Sequence, residues 1–531
     1  MSYSSLSFFI FLAVLTLVYY IAPKRYQWCV LLAASYGFYL TGGVPQLIFI
    51  ICSTLIAYFA GLKMQSIRDQ AKAEMEKAGE LTKEEKREWK KRTKDKVHRV
   101  QILSVGLTLG ILIVVKYTNF GISVLNSVLS PVGAQLPFLN ILVPLGISFY
   151  SFQIMGYLID VGRGKYEAER HFGYLALFVS FFPSIVQGPI NRYGDIGKQF
   201  KEEHKFDYTT VKFGVQLILW GLFKKLVIAD RASIAVSAIF NNYINYGGAE
   251  YIIATLGYAI QIYADFSGGV DVSIGAAQML GITLPINFER PYFSTSLAEY
   301  WRRWHASLGG WMREYVFYPV MLSAPVTKLS QACRRRGWKY LARIVPSTIT
   351  PFVVFTLIGV WHGASFKYLA FGLYNATIVA GSVALAPVYK KVGELLRINT
   401  ETASFKLFGM LRTFFICCIG KTLGHASSLR ASMHMIKGMF TDVNLDTLFG
   451  LDGTLFALGL DQRSMFVLFI AVLVLFTVSC LQESGMKMRE TIARQNLLFR
   501  WALYIGIILA ILIFGIYGPD FSASEFLYQA Y

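Results

Sequence analysis

Charge is what this chain has least of. Asp, Glu, Lys and Arg make up 16% of its 531 residues, against 55% hydrophobic and 15% aromatic, a share below that of water-soluble domains. Acids are the scarcer sign: 32 of them against 51 Lys and Arg leave a formal charge of +19. Cysteine sets no disulfide framework, since Cys29, Cys52, Cys417, Cys418 and Cys480 lie in apolar runs and Cys333 in a basic loop. Free cysteines in such settings behave as small buried hydrophobes. No CxxC or HExxH spacing occurs, so no metal site is expected. The basic stretches lack the aromatic interleaving that base stacking requires, which argues against a nucleic-acid partner.

Long apolar runs fill the chain instead. Windows near 4–22, 27–40, 44–62, 100–116, 171–187, 211–223, 250–264, 268–286, 347–361, 366–388, 405–420, 464–481 and 499–517 are nearly free of charge. Some are short enough to be tilted or re-entrant, so the sequence predicts about ten to twelve crossings. The fold class expected is all-α: a polytopic integral membrane protein with further re-entrant and interfacial helices. No window remains for a large soluble domain, and residues 1–531 read as a single membrane-embedded domain. The first run lacks a basic leader and a small-residue cleavage site and meets Pro23-Lys24-Arg25 directly. It is expected to be retained as a first helix.

The placement of the basic residues predicts topology. Residues 63–99 hold thirteen Lys and Arg with eight acids, residues 324–345 hold six with no acid, and 483–500 carry Lys487, Arg489, Arg494 and Arg500. All three are assigned to the cytoplasm, because Lys and Arg accumulate in inside loops. Lys24 and Arg25 join them, which puts the N-terminus outside if 27–40 and 44–62 form a full hairpin. Segment 63–99 is rich in helix formers and in opposite charges at i,i+4 spacing, and reads as a solvated helix or helical hairpin.

Two histidines break the apolar pattern. His362 lies in Trp361-His362-Gly363-Ala364-Ser365, between the runs 351–360 and 366–386. A titratable group held there carries a desolvation cost, and such groups usually face a working cavity. His305 follows Glu299-Tyr300-Trp301-Arg302-Arg303-Trp304. Trp301, Trp304, His305, Leu308, Met312 and Tyr315 recur at helical spacing, which predicts one helix with an aromatic face holding His305. Glu299, Arg302, Arg303 and Arg313 fall on its opposite side. Such a helix is too charged to cross lipid alone and belongs in the interface or beside a polar cavity. A histidine bonded to backbone is the bland alternative, but two in a chain with only seven point to proton transfer. Asp265, Ser267 and Asp271 flank Gly268-Gly269. The two carboxylates either orient a histidine or bind substrate, or else cap helices, the reading favoured here.

Three stretches, YADFSGGVDVSIGAAQMLGI (263–282), RPYFSTSLAEYWRRWHASLGGWMREYVFYP (290–319) and GVWHGASFKYLAFGLYNA (359–376), resemble membrane-bound O-acyltransferases. SYSSLSFFIFL near the start, VPLGISFYSFQIMGYLIDVGRGK (143–165) and SFFPSIVQGPINR (180–192) fit the same branch, which holds alginate and peptidoglycan O-acetyltransferases and teichoic-acid D-alanyltransferases. The resemblance implies a multi-helix membrane fold around a funnel or tunnel, with His362 as catalytic histidine and His305 as its second. Trp301, Trp304 and Trp361 would wall the passage. It also implies acetyl-CoA or an acyl-carrier thioester as donor substrate, with no bound cofactor. The acceptor would lie outside a bacterial plasma membrane, reached through an extracytoplasmic transferase or a polysaccharide-synthesis or export complex. On the donor's side, Arg334, Arg335 and Arg336 anchor topology beside anionic lipid and are weighed also as a steering patch for its phosphates. Departures concern substrate. Alginate-type members read DFSGYSD where this chain reads DFSGGVD from Asp265 to Asp271, and an FFRA-like stretch is replaced by TLGHA from Thr422 to Ala426. D-alanyltransferases of the branch are also usually shorter. O-acetylation of a cell-surface polysaccharide is the expectation, with D-alanylation as alternative. Proton-coupled transport of a polysaccharide precursor is a reading from another class, and a silent scaffold of an export complex a third.

Overall fold

The computed structural model describes residues 1–78 and 82–517. Helices dominate, and among the described residues the isolated extended pairing is an antiparallel bridge of Phe288 with Trp304. Among the described residues six helices are long and apolar enough to cross a membrane: Val44–Lys77, Lys83–Val132, Lys339–His362, Ala403–His425, Gln462–Glu483 and Leu497–Phe514. A seventh span would be the pair Phe366–Ala384 and Ala386–Leu395, bent by 59°. That is fewer than the ten to twelve crossings expected, for visible reasons. The runs 250–264 and 268–286 merge into one helix, Gly248–Met279. Two others yield only the 14-residue Gln27–Leu40 and the 9-residue Phe172–Ser180. The first run gives 16 residues, Leu6–Ile21, about 24 Å against a hydrocarbon core of about 30 Å.

The chain divides into two compact units, Met1–Val215 with Ser273–Pro285, and Gln216–Val272 with Ile286–Tyr531. In the first, Phe8, Phe38 and Phe182 pack ring to ring, and the buried Tyr3 hydroxyl donates to the Phe182 carbonyl at 2.5 Å. Segment 63–99 prolongs Val44–Lys77 and opens Lys83–Leu129, the latter started by a reciprocal cap between Thr82 and Glu85. Residues 79–81 of that segment lie outside the described residues. The expected i,i+4 pairing is present between Glu88 and Arg92 at 2.7 Å, though both are exposed and the bond adds little stability.

The second unit holds both histidines. Lys339–His362 and Phe366–Ala384 form a tight hairpin that glycine permits. A Cβ on Gly359 would lie 2.3 Å from the Tyr368 carbonyl oxygen, and one on Gly372 2.3 Å from that of Phe355. Only a residue without Cβ allows backbones this close. Elsewhere in the unit a π-helix, Phe223–Ala229, turns the consecutive Lys224 and Lys225 inward. Lys225 pairs with Asp230 at 2.8 Å and Asp265 at 2.7 Å, and Lys224 with Asp271 at 2.7 Å. Ser267 accepts a further bond from Lys224 Nζ at 2.8 Å. These carboxylates compensate the two buried ammonium groups.

Candidate active site

The helix expected through residues 301–315 is broken at its centre. Leu297–Arg303 stops at Trp304, which is extended; His305 is left-handed at φ 47°, and Ala306–Met312 begins a new helix. The cause is a competing segment. Glu289 N–H donates to the Arg303 carbonyl at 3.0 Å and Ala306 N–H to that of Asn287 at 2.9 Å, taking backbone groups that a continuous helix would have used. A left-handed histidine costs on the order of 1–3 kcal/mol, and the Asn287 side chain offsets it. Asn287 Oδ1 accepts from Ser307 N at 3.1 Å and Ser307 Oγ at 2.8 Å, and lies 3.1 Å from His305 Nδ1. Because the Ser307 amide can only donate, the Asn287 atom is an acceptor and Nδ1 carries the proton. The lone pair of His305 is therefore on Nε2. Burial, with the His362 ring nearby, holds this imidazole well below the ordinary histidine range, so it is neutral at physiological pH.

The break also overturns the expected separation of faces. Arg302 and Arg313, placed opposite the aromatic side by periodicity, line the same cavity of about 480 Å³ as Trp301, Trp304, His305 and His362. The heptad-like count assumed 100° per residue throughout, and one left-handed residue resets it.

A second cavity, about 60 Å³, is lined by Trp301, Trp304 and His362 again, now with Tyr300, Asn375 and Lys421. Three side chains thus face both spaces. Each is held in place. The Trp301 indole N–H donates to Asn375 Oδ1 at 3.1 Å. Trp304 stacks on Tyr300 with ring centres 5.6 Å apart. His362 meets the Phe371 ring edge-on at 5.8 Å and Trp361 at 4.9 Å. Trp361 also lies 6.1 Å from the His305 ring, packing behind the two histidines rather than among the residues that line either cavity.

Two participants escaped the reading of the sequence. Lys421 is buried; its Nζ donates to the Tyr300 hydroxyl at 2.8 Å and stands 4.2 Å over the Trp304 ring, with Tyr292 and Tyr300 at 5.3 and 5.2 Å. A lysine at the end of the run 405–420, after eight residues without charge, was the available signal. Asn287 offered none. Asp265, Ser267 and Asp271 are engaged with Lys224 and Lys225, and among the described residues they line neither cavity. Arg334, Arg335 and Arg336 are exposed at the end of the helix Ala324–Arg335 and also line neither. Among the described residues no group of three His, Cys, Asp or Glu is placed to hold a metal.

The model of the membrane-bound O-acyltransferase family matches residues 170–332. The probable alginate O-acetylase AlgI of Pseudomonas putida KT2440 is 32% identical over 442 residues, covering 82% of this chain and 80% of that protein. The peptidoglycan O-acetyltransferase of Helicobacter pylori 26695 is 27% identical over 438 residues, 78% of this chain and 73% of its own. The teichoic acid D-alanyltransferase of Bacillus subtilis 168 is 31% identical over a shorter 246 residues, 45% of this chain and 59% of its own.

Proposed function

Because the chain belongs to the membrane-bound O-acyltransferase family, we propose that this multi-pass membrane enzyme takes acetyl groups from cytosolic acetyl-CoA for O-acetylation of a cell-surface polysaccharide. One observation carries the reading: His362 faces both cavities, as do Trp301 and Trp304. A base so placed can meet a donor whose CoA lies in the larger space with its acyl end at the smaller, where the acceptor hydroxyl arrives.

The chemistry follows from that position. The acceptor oxygen attacks the thioester carbonyl while neutral His362 takes the hydroxyl proton. The C–S bond then breaks, and the thiolate leaves with the proton that the imidazolium returns. His305, its tautomer set by Asn287, orients the acyl group or its partner histidine. The two indoles exclude water that would hydrolyse the thioester. Arg302 and Arg313, lining the larger cavity, are matched to the phosphates of a CoA donor, and Arg334 to Arg336 add long-range attraction. The acceptor hydroxyl belongs to the polysaccharide or to a carrier in an extracytoplasmic partner of an export complex.

The test uses purified protein in lipid nanodiscs, radiolabelled acetyl-CoA and extracted surface glycan. Covalent label in the glycan or a carrier supports the reading. Uptake of glycan precursor into vesicles without covalent label would instead identify a transporter and end it.

A further inference from the structure

The mechanism above leaves Lys421 without a task, yet it is costly to keep. Its ammonium is enclosed by the faces of Tyr292, Tyr300 and Trp304 and bonded to the Tyr300 hydroxyl. Ring faces attract a cation, and the Lys421 ammonium stands at one end of the smaller cavity. Among the described residues no carboxylate lines that cavity, whose remaining polar members include Asn375 and the tyrosines Tyr258 and Tyr368. Its volume of about 60 Å³, against about 480 Å³ for the other, makes it the narrower of the two spaces that His362 faces.

Such a space treats acyl groups by charge. An acetyl or propionyl group brings no charge, and its carbonyl oxygen is attracted to the ammonium. An aminoacyl group brings an α-ammonium of its own, with no carboxylate to receive it. Two like charges a few ångströms apart among aromatic walls repel, and the aminoacyl group is disfavoured. We infer that Lys421 determines acyl specificity, admitting uncharged short acyl groups beside His362 and rejecting aminoacyl groups. The inference rests on the reading that acyl transfer occurs at His362. It deepens that reading by assigning the choice between acetyl and D-alanyl to one side chain.

Propionyl-CoA and glycyl-CoA supply the test, since the two acyl groups match in size and differ in a methyl against an ammonium. Transfer of acetyl from acetyl-CoA by the wild-type protein is measured first. Its absence would remove the function proposed above, independently of Lys421. With acetyl transfer in hand, wild type is expected to favour propionyl over glycyl by at least tenfold in kcat/KM. Lys421→Gln is expected to narrow that ratio by about tenfold, and Lys421→Arg to preserve it. Lys421→Met retains the unbranched stem and its ring contacts, and gives a second neutral variant if the glutamine protein does not fold. The ratio is the readout, because a purely structural role would slow both donors alike. Equal use of both donors by wild type, rejection of both by wild type, or an unchanged ratio in a folded neutral variant would each overturn the inference.

Discussion

The two histidines differ in how each is held, and their substitutions should differ accordingly. A general base contributes about 10²- to 10⁴-fold, so His362→Ala is expected to cut acetyl transfer at least a hundredfold at unchanged membrane level. Retention of more than a tenth of wild-type activity removes it from the base role. His305→Ala should lose less if it only orients. Asn287 gives a finer probe, because its Oδ1 serves two Ser307 donors and His305 Nδ1. Asn287→Ala strands these groups and should lower stability by about 1–3 kcal/mol, read as a drop in thermal midpoint. Asn287→Asp keeps the acceptor but sets a carboxylate beside Nδ1, raising the His305 pKa. In wild type the imidazole is held far below neutrality, so His305 stays uncharged as pH falls toward 5. In Asn287→Asp it protonates as pH falls through the raised value, and the acid limb of kcat/KM should move upward. An acid limb coincident with wild type would show that His305 does not act through its neutral form.

The hairpin of Lys339–His362 and Phe366–Ala384 aims His362, and its two contact glycines make it sensitive to a single methyl. Gly359→Ala or Gly372→Ala would place a carbon against a backbone carbonyl that cannot swing away. Each is expected to reduce both thermal stability and acetyl transfer severely. Gly381→Ala in the same helix is the control, with nothing within 4 Å of the added carbon and a gain of about 0.5–1 kcal/mol in helix propensity. Equal tolerance of all three would mean that the hairpin does not position the histidine. This element was legible in the sequence as two apolar runs around Trp361 and His362. The break at His305 was not, since periodicity registers neither a left-handed residue nor a competitor arriving from Asn287 to Glu289. The same limit hid Arg302 and Arg313, whose place depends on that break. Neither reading of Asp265 and Asp271, as site residues or as the favoured helix caps, names their lysine partners, because the π-helix that delivers Lys224 and Lys225 leaves no mark on composition.

For the whole molecule, charge should sort donor binding from topology. Arg302→Gln with Arg313→Gln is expected to raise KM for acetyl-CoA several-fold at any ionic strength. Changing Arg334, Arg335 and Arg336 together to Gln should raise it only at low salt, where long-range attraction is unscreened, with kcat nearly unchanged. An unaltered KM in the first variant removes the two arginines from the donor path. Cysteine labelling in a cysteine-free background should reach 63–99 and 324–345 from the cytoplasm only, and labelling of either by an impermeant reagent on intact cells contradicts the inside assignment. The two cavities that share Trp301, Trp304 and His362 carry a further consequence, for bioenergetics. Under the proposed function, with the two hollows reached from opposite sides of the membrane, the insulating layer that holds the proton-motive force is reduced to the thickness of those rings. The indoles then work as a dielectric seal even in a cell with no glycan to modify. Thinning them would make the protein an uncoupler, detected as loss of membrane potential without any acyl donor present.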